Sequence, residues 1–324
     1  MILVKTPFLV SLIGGGTDLP QFYERAGRGA VVSLTIDRYM YVMIHPYFHD
    51  KLRVKYSETE DVDTIDQLRH PIVRECLRRM EVTSGLEIAS IADIPAGLGL
   101  GSSSSFTVCL LHALHVYRGG YVTKERLADD ACTIEIKELG EPIGKQDQYA
   151  ASYGGLNFIG FNSDGSVDVE PLTHNREVTD ELLRRLMLFY VGSPRSARQV
   201  LGEQQRTIDE GDRFRAAQQL VALARGMRAA ITNGQLADVG RVLHDGWELK
   251  KGLATNVTNP AIDEAYGAAL SAGASGGKLL GAGAGGFLLF YCEPEFQERV
   301  AERLKLRRLP VRLDREGSKV AYHD

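Results

Sequence analysis

Cysteine is scarce in this 324-residue chain, and its four copies, Cys76, Cys109, Cys132 and Cys292, stand far apart with no CxxC pair. That spacing argues against a disulfide-stapled scaffold and a cysteine-based zinc site, and it suits reduced thiols in a cytoplasmic compartment. Long apolar runs are missing too. FLVSLIGGG near the start opens into glycines, so neither a membrane-spanning helix nor a cleavable leader is expected. Positive charge is not in excess: 38 Lys and Arg against 42 Asp and Glu leave a net charge of −4. Such a balance offers no footprint for nucleic acid or an acidic membrane surface. No fixed-period repeat or low-complexity tract occurs, which removes solenoids. The Walker A pattern GxxxxGK[ST] is absent as well.

What remains is the composition of an ordinary soluble globular protein, 44% hydrophobic and 25% charged, long enough for one large domain or two of common size. The first ~60 residues are expected to be β-rich: ILVKTPFLVSLI, AVVSLTI, YMYVMIH and KLRVKYS alternate or run apolar between turn residues. HPIVRECLRRM has helical spacing, and LEIASIADI is expected to be a strand. FTVCLLHALHVY is apolar nearly all round, as a buried helix would be, and KERLADDACTIEIKELG predicts another helix closed by Gly140. From about Leu182 the pattern changes. LMLFYVG predicts a strand, followed by the helices FRAAQQLVALARGMRAAI and LADVGRVLHDGWELKKGL. The tail is expected to run helix (PAIDEAYGAALSAG), strand (GKLLGAG), strand (GFLLFYC), helix (PEFQERVAERLKL) and strand (PVRL). The order suggests an α+β fold with helices covering an antiparallel sheet, divided near residue 180 into domains 1–180 and 181–324.

Four stretches carry chemistry. PAGLGLGSSSS, residues 95–105, lies between an expected strand and the buried helix. Consecutive backbone N–H groups at a helix start attract phosphate, glycines let the main chain approach it, and serine hydroxyls can add a hard oxygen ligand for Mg²⁺. A flexible Gly/Ser turn is the alternative. LIGGGTDLP, residues 12–20, puts Gly16, Thr17 and Asp18 where a carboxylate could accept hydrogen bonds from sugar hydroxyls, or where an Asx turn links two elements. GEPIGKQDQYAASYGG, residues 140–155, presents Asp147 either as a group that accepts a hydroxyl proton or as a helix cap. GGKLLGAGAGG, residues 276–286, holds more glycines than a hairpin needs, which suggests close approach to a ligand or to the other domain.

Taken in order, GGGTD, PAGLGLGSSSS and GKLLGAGAGG resemble the three motifs of the GHMP small-molecule kinases, over essentially the whole chain. LRVKYSETEDVDTIDQLRHPIVRECL, GKQDQYAASYGGLNFI and HDGWELKKGLATNVTNP are similar to the branch acting on D-glycero-D-manno-heptose 7-phosphate, with fucose kinases close in texture. The resemblance implies a ribosomal-protein-S5-like N-terminal domain, a ferredoxin-like C-terminal domain and a site between them. It implies that Gly97, Gly99, Gly101, Ser102, Ser103 and Ser104 wrap the phosphates of ATP, that Ser103 and Glu135 hold Mg²⁺, and that Asp147 acts as the base-like carboxylate. Asp18 with Thr17 and Gly16 would meet the sugar, and Gly281, Gly283 and Gly285 would close the third loop over the site. The implied partner is a small sugar phosphate, with no nucleic acid or membrane. One departure stands out. Where the family commonly carries Arg or Lys in its first motif, TPFLVSLIGGG has Leu9, which leaves Lys5 or Lys145 as possible substitutes.

Other candidates are weaker. His112 and His115 have metal-site spacing but no matching partner in sequence. His244, Trp247 and Lys251 share a helical face, read as packing by Trp247 with a charged rim or as a substrate contact. Arg195 and Arg198 in GSPRSARQV could receive a sugar phosphate.

Overall fold

The protein is described here from a computed structural model covering residues 1–173, 175–192, 197–208, 211–255, 257–283 and 285–324, without the side chains of 197–201. The chain opens with β1 (Ile2–Ile13), α1 (Pro20–Ala26) and β2 (Arg28–Pro46), followed by β3 (Leu52–Lys55), β4 (Thr59–Val62), α2 (Pro71–Arg79) and β5 (Leu86–Ala92). Next come α3 (Ser102–Tyr117), α4 (Lys124–Cys132), α5 (Gln146–Tyr153), β6 (Leu156–Asn162), β7 (Val167–Pro171) and α6 (Arg176–Arg185). The remainder comprises β8 (Leu186–Gly192), α7 (Ala197–Thr207), α8 (Gly211–Thr232), α9 (Val239–Lys251), α10 (Pro260–Ser271), β9 (Ala274–Leu279), β10 (Gly286–Cys292), α11 (Gln297–Leu304), β11 (Arg308–Leu309) and β12 (Lys319–His323).

Eight strands form the first sheet, in the order β12-β1-β2-β5-β3-β4, with β6 on the other half of β2 and β7 beyond it. A single 19-residue strand serves two neighbours. Residues Arg28–Leu34 of β2 pair with β6, and Met40–Pro46 pair with β5. AVVSLTI is buried on both faces, whereas from Asp37 onward Met40, Val42 and Ile44 alternate inward. The two apolar segments expected as separate strands are therefore one. Helix α3 lies against β1 and β2, and ten of its residues from Ser104 to Leu114 are buried. That wrapping accounts for a sequence apolar on every side.

The second sheet is antiparallel, β11-β8-β10-β9, and its core gathers Met187, Phe189, Trp247, Tyr266, Leu288 and Phe290. Two differences from the sequence reading concern the tail. PVRL forms no strand beyond an isolated bridge from Leu313 to Ile36, because the short β11 ends at Leu309. The last strand, β12, also leaves the second sheet and pairs with β1, so the 181–324 span is not confined to one sheet. Cys76, Cys109, Cys132 and Cys292 are all buried and free. Among the described residues no helix is long and apolar enough to cross a membrane.

β1 ends in a turn that only glycine tolerates. Gly14 has φ +92°, and a Cβ on it would lie 2.0 Å from Ala30 O. Gly14→Ala adds left-handed strain to a backbone collision, and the expected loss is about 3 kcal/mol or more. An unchanged urea midpoint in that variant would show that the β1–β2 edge relaxes freely.

Candidate active site

A cleft between the two sheets gathers the three glycine segments. The Gly/Ser stretch resolves into a left-handed loop and a helix start. Gly97, Gly99 and Gly101 have φ of +82°, +81° and +70°, and the serines at 102–105 form the first turn of α3. First-turn amides have no partner inside a helix, and the dipole places positive charge behind them. Ser105 turns inward, donating to Pro7 O at 2.9 Å, while Ser102, Ser103 and Ser104 line the cleft. A Cβ on Gly97 would meet nothing within 4 Å, and the Gly97 N–H donates to Ser102 Oγ at 3.3 Å, tying the loop to the helix start.

The third glycine loop touches the first, main chain to main chain. A Cβ on Gly281 would fall 2.4 Å from Gly99 Cα, and one on Gly286 would fall 2.4 Å from Leu98 O. Gly283, at φ +126°, passes as tightly over Val257 O. The glycine surplus in residues 276–286 thus serves approach to the other half of the molecule, and Gly281, Gly283 and Gly285 border the cleft.

Asp18 and Asp147 share residue type but not environment. Asp18 is buried, and its Oδ1 accepts the Gly16 N–H at 2.9 Å while Oδ2 accepts the Gln146 N–H at 3.0 Å. It caps α5 from 128 residues away, which suits a carboxylate at a helix N-terminus. Burial raises its pKa, and those two amides oppose the rise. Asp147 sits in the first turn of the same helix and, among the described residues, makes no hydrogen bond or ion pair. It does not cap α5, because Asp18 does. Enclosure by the cleft walls, then the charges of Asp18 and Glu135, push the Asp147 carboxyl up to about 7, and Lys250 opposes the rise.

Glu135 lies behind the cleft rather than on its wall. Its Oε1 accepts the Ser103 hydroxyl at 2.6 Å, Oε2 accepts Gln148 Nε2 at 2.7 Å, and burial raises its pKa. A hydroxyl on the wall backed by a carboxylate is a hard-oxygen donor set of the kind Mg²⁺ takes, so these residues fit that ion.

Other expected residues fall elsewhere. Thr17 is removed from the substrate set: it is buried, and its hydroxyl donates to Ala30 O and accepts the Ala30 N–H, each at 3.0 Å. Lys5 lies over the Tyr39 ring at 4.0 Å, and Lys145 donates to Gly165 O at 2.6 Å, so neither replaces a cation beside Asp147. His112 bonds Ser318 Oγ at 2.8 Å, and burial lowers its pKa to about 4. His115 stands 3.8 Å from Asp130. Trp247 is core, with His244 bonded to Tyr266 and Lys251 paired to Glu248 as its rim. Arg195 and the Arg198 side chain lie outside the described residues.

Lys250, Lys278 and Gln204 line the cleft without having been singled out from the sequence. Val239, Leu243, Gly246 and Lys250 recur at helical spacing on α9. A Cβ on Gly246 would sit 2.1 Å from Ile13 Cδ1, so this stripe lies on the end of β1 and its next turn delivers Lys250 to the cleft. The stripe was the available signal. Lys278 donates to Ser11 O at 2.8 Å, and burial followed by the charge of Lys250 holds its pKa well below the ordinary lysine range. Gln204 sits on α7, where a Cβ on Gly16 would strike its amide.

The family model described as GHMP kinases N terminal domain matches residues 69–155, and that described as GHMP kinases C terminal matches residues 227–308. A D-glycero-alpha-D-manno-heptose 7-phosphate kinase of Campylobacter jejuni is 27% identical over 94% of this chain and 93% of its own. A bifunctional fucokinase/GDP-fucose pyrophosphorylase of Arabidopsis thaliana is 26% identical over 93% of this chain, but only 31% of that longer protein. Among solved structures, a D-glycero-D-manno-heptose 1-phosphate kinase from Bacteroides thetaiotaomicron superposes with a TM-score of 0.82 at 26% identity, covering 100% of both chains.

The raised Asp147 pKa has a thermodynamic signature. The folded carboxyl keeps its proton up to about pH 7, whereas an unfolded one releases it near 3.8. The native state therefore binds the extra proton between those values, and Asp147 costs stability increasingly as pH rises through them. Asp147→Asn should melt several degrees above wild type at pH 8, with the difference shrinking toward pH 4.5. Parallel melting curves at both pH values would contradict that environment for Asp147.

Proposed function

This chain belongs to the GHMP kinase family, and from that premise we propose that it transfers the γ-phosphoryl group of ATP to a sugar hydroxyl. The acceptor in this reading is the anomeric oxygen of D-glycero-α-D-manno-heptose 7-phosphate, and the product is the 1,7-bisphosphate. The carrying observation is the placement of a high-pKa carboxyl, Asp147, unpartnered among the described residues, in the same cleft as the glycine-lined start of α3. The choice of acceptor rests on the names of the relatives, one a heptose 7-phosphate kinase over nearly its full length.

The amides and hydroxyls of Ser102, Ser103 and Ser104, with the main chain at Gly97, Gly99 and Gly101, hold the phosphate oxygens. Ser103 and Glu135 are the residues that would hold Mg²⁺, which when bound neutralises charge on the β- and γ-phosphates. Asp147 accepts the proton of the attacking hydroxyl as its oxygen bonds to the γ-phosphorus. The bond from that phosphorus to the β–γ bridging oxygen breaks, and ADP leaves. A carboxyl with a pKa of about 7 is matched to this exchange near neutral pH. Asp18, Gly16, Gly283 and Gly285 border the sugar, and Asp18 fixes the helix start that carries Asp147.

Two other readings have an observation behind them. The fucokinase relative favours an unphosphorylated sugar. Leu9, which lines the same cleft as Asp147 where a cation is expected, favours a sensor that binds sugar and ATP without turnover.

Phosphorus NMR of the protein with ATP, Mg²⁺ and the heptose 7-phosphate separates these readings. A new anomeric phosphate signal with ADP is expected, and fucose should give none. Asp147→Asn should keep ATP affinity and lose about 10²- to 10⁴-fold in kcat; near-normal turnover in that variant would sink the assignment. Ser103→Ala should move the Mg²⁺ titration to higher concentration, and an unmoved titration takes Ser103 out of the metal shell.

A further inference from the structure

We propose that Lys250, delivered by α9, is the catalytic cation of this cleft, balancing the Asp147 carboxylate and donating hydrogen bonds to the phosphoryl group in transfer. The inference rests on the kinase reading above and adds the residue that supplies its positive charge.

The surroundings of Asp147 are hostile to a carboxylate. A Cβ built on Gly101 would lie 2.6 Å from Leu9 Cδ2 and 3.4 Å from Asp147 Oδ2, so hydrocarbon and carboxyl both lie close to that glycine on the cleft wall. Leu9 is held there by β1, whose Leu9 N–H donates to Leu100 O at 3.1 Å. The other charges bearing on Asp147 are Asp18, before α1, and Glu135, in the turn after α4, both of like sign. Of the lysines nearby in sequence or space, Lys5 and Lys145 are engaged elsewhere, and Lys278 is turned to Ser11 O. Lys250 is the cation that acts on Asp147 among the described residues, and it acts on Asp18 as well.

The position of its ammonium is set by a hydrogen bond to the third glycine loop. Lys250 Nζ donates to Gly281 O, and Gly281 is the residue that crosses Gly99 of the phosphate loop. The nitrogen is therefore tethered where the two glycine loops meet, with two further N–H donors available. Asp18 has both oxygens committed to backbone amides, so it competes weakly for those donors. Burial lowers the Lys250 pKa to about 8, and the carboxylates of Asp147 and Asp18 work against that fall. The ammonium thus persists at neutral pH. During transfer the hydroxyl proton passes to Asp147, and Lys250 remains an ammonium throughout, so charge is stabilised without a second proton transfer.

The test uses the full-length protein with Mg²⁺ and compares affinities for ADP and for the non-hydrolysable analogue AMPPNP, alongside kcat with the heptose 7-phosphate. In Lys250→Met, analogue affinity should fall about tenfold to a hundredfold while ADP affinity holds, and kcat should drop about 10²- to 10³-fold. Lys250→Arg should retain turnover and extend it to higher pH, because a guanidinium stays charged where the lysine loses its proton. Adding Leu9→Arg to Lys250→Met should recover part of both losses by returning a cation to the cleft that holds the carboxyl. Equal losses of ADP and analogue affinity would make Lys250 a structural tie for the Gly281 loop and overturn the proposal. So would wild-type kcat in Lys250→Met. An intact contrast between analogue and ADP in a protein that phosphorylates no sugar overturns the acceptor assignment and upholds the lysine's contact with the phosphoryl group.

Discussion

Two loops from different sheets meet with no side chain between them, and the cleft exists because they do. Gly281 crosses Gly99 so closely that a Cβ on Gly281 would fall 2.4 Å from Gly99 Cα and one on Gly99 would fall 2.8 Å from Leu280 O, and Gly286 lies equally tight on Leu98 O. Interiors are close-packed and transmit such displacements, so a methyl group here would wedge the halves apart at the phosphate loop. The contact also brings the Gly281 carbonyl to Lys250. Loop geometry, cleft width and the position of a buried ammonium are thereby one constraint.

Charge in the cleft is organised by giving identical groups different partners. Asp18 has its charge absorbed by two backbone amides and in return fixes the first turn of α5. Asp147, carried by that same turn, has no hydrogen bond among the described residues, and the charges of Asp18 and Glu135 add to the rise in its pKa. Asp18 thus both positions Asp147 and repels it. A site that holds a carboxyl near neutrality gives up folding stability for reactivity, the trade expected where function needs a strained environment.

Much of the frame was legible in the chain. The glycine motifs, the buried helix after the second of them and most strands and helices follow from local rules: which residues accept a left-handed φ, and which patterns bury one face or all. Asp147 was visible as a carboxylate bracketed by glycines. The fused β2, the missing PVRL strand and the return of β12 to the first sheet were not, since strand pairing is set by partners distant in sequence. Thr17, Lys5 and Lys145 have suitable chemistry at suitable places in the sequence, but packing turned Thr17 toward Ala30 and the two lysines toward Tyr39 and Gly165.

Lys250 marks the boundary most clearly. Helical spacing grouped His244, Trp247 and Lys251, and that face went to the core and its rim. The neighbouring lysine reached the cleft because Gly246 lets α9 lie directly on Ile13 of β1. Sequence by itself determined the kinase-like motifs, the local conformations they demand and the carboxylate at position 147. Which cation faces that carboxylate was decided only by the tertiary structure, because a lysine's environment depends on how one helix docks against a strand more than two hundred residues away in the chain.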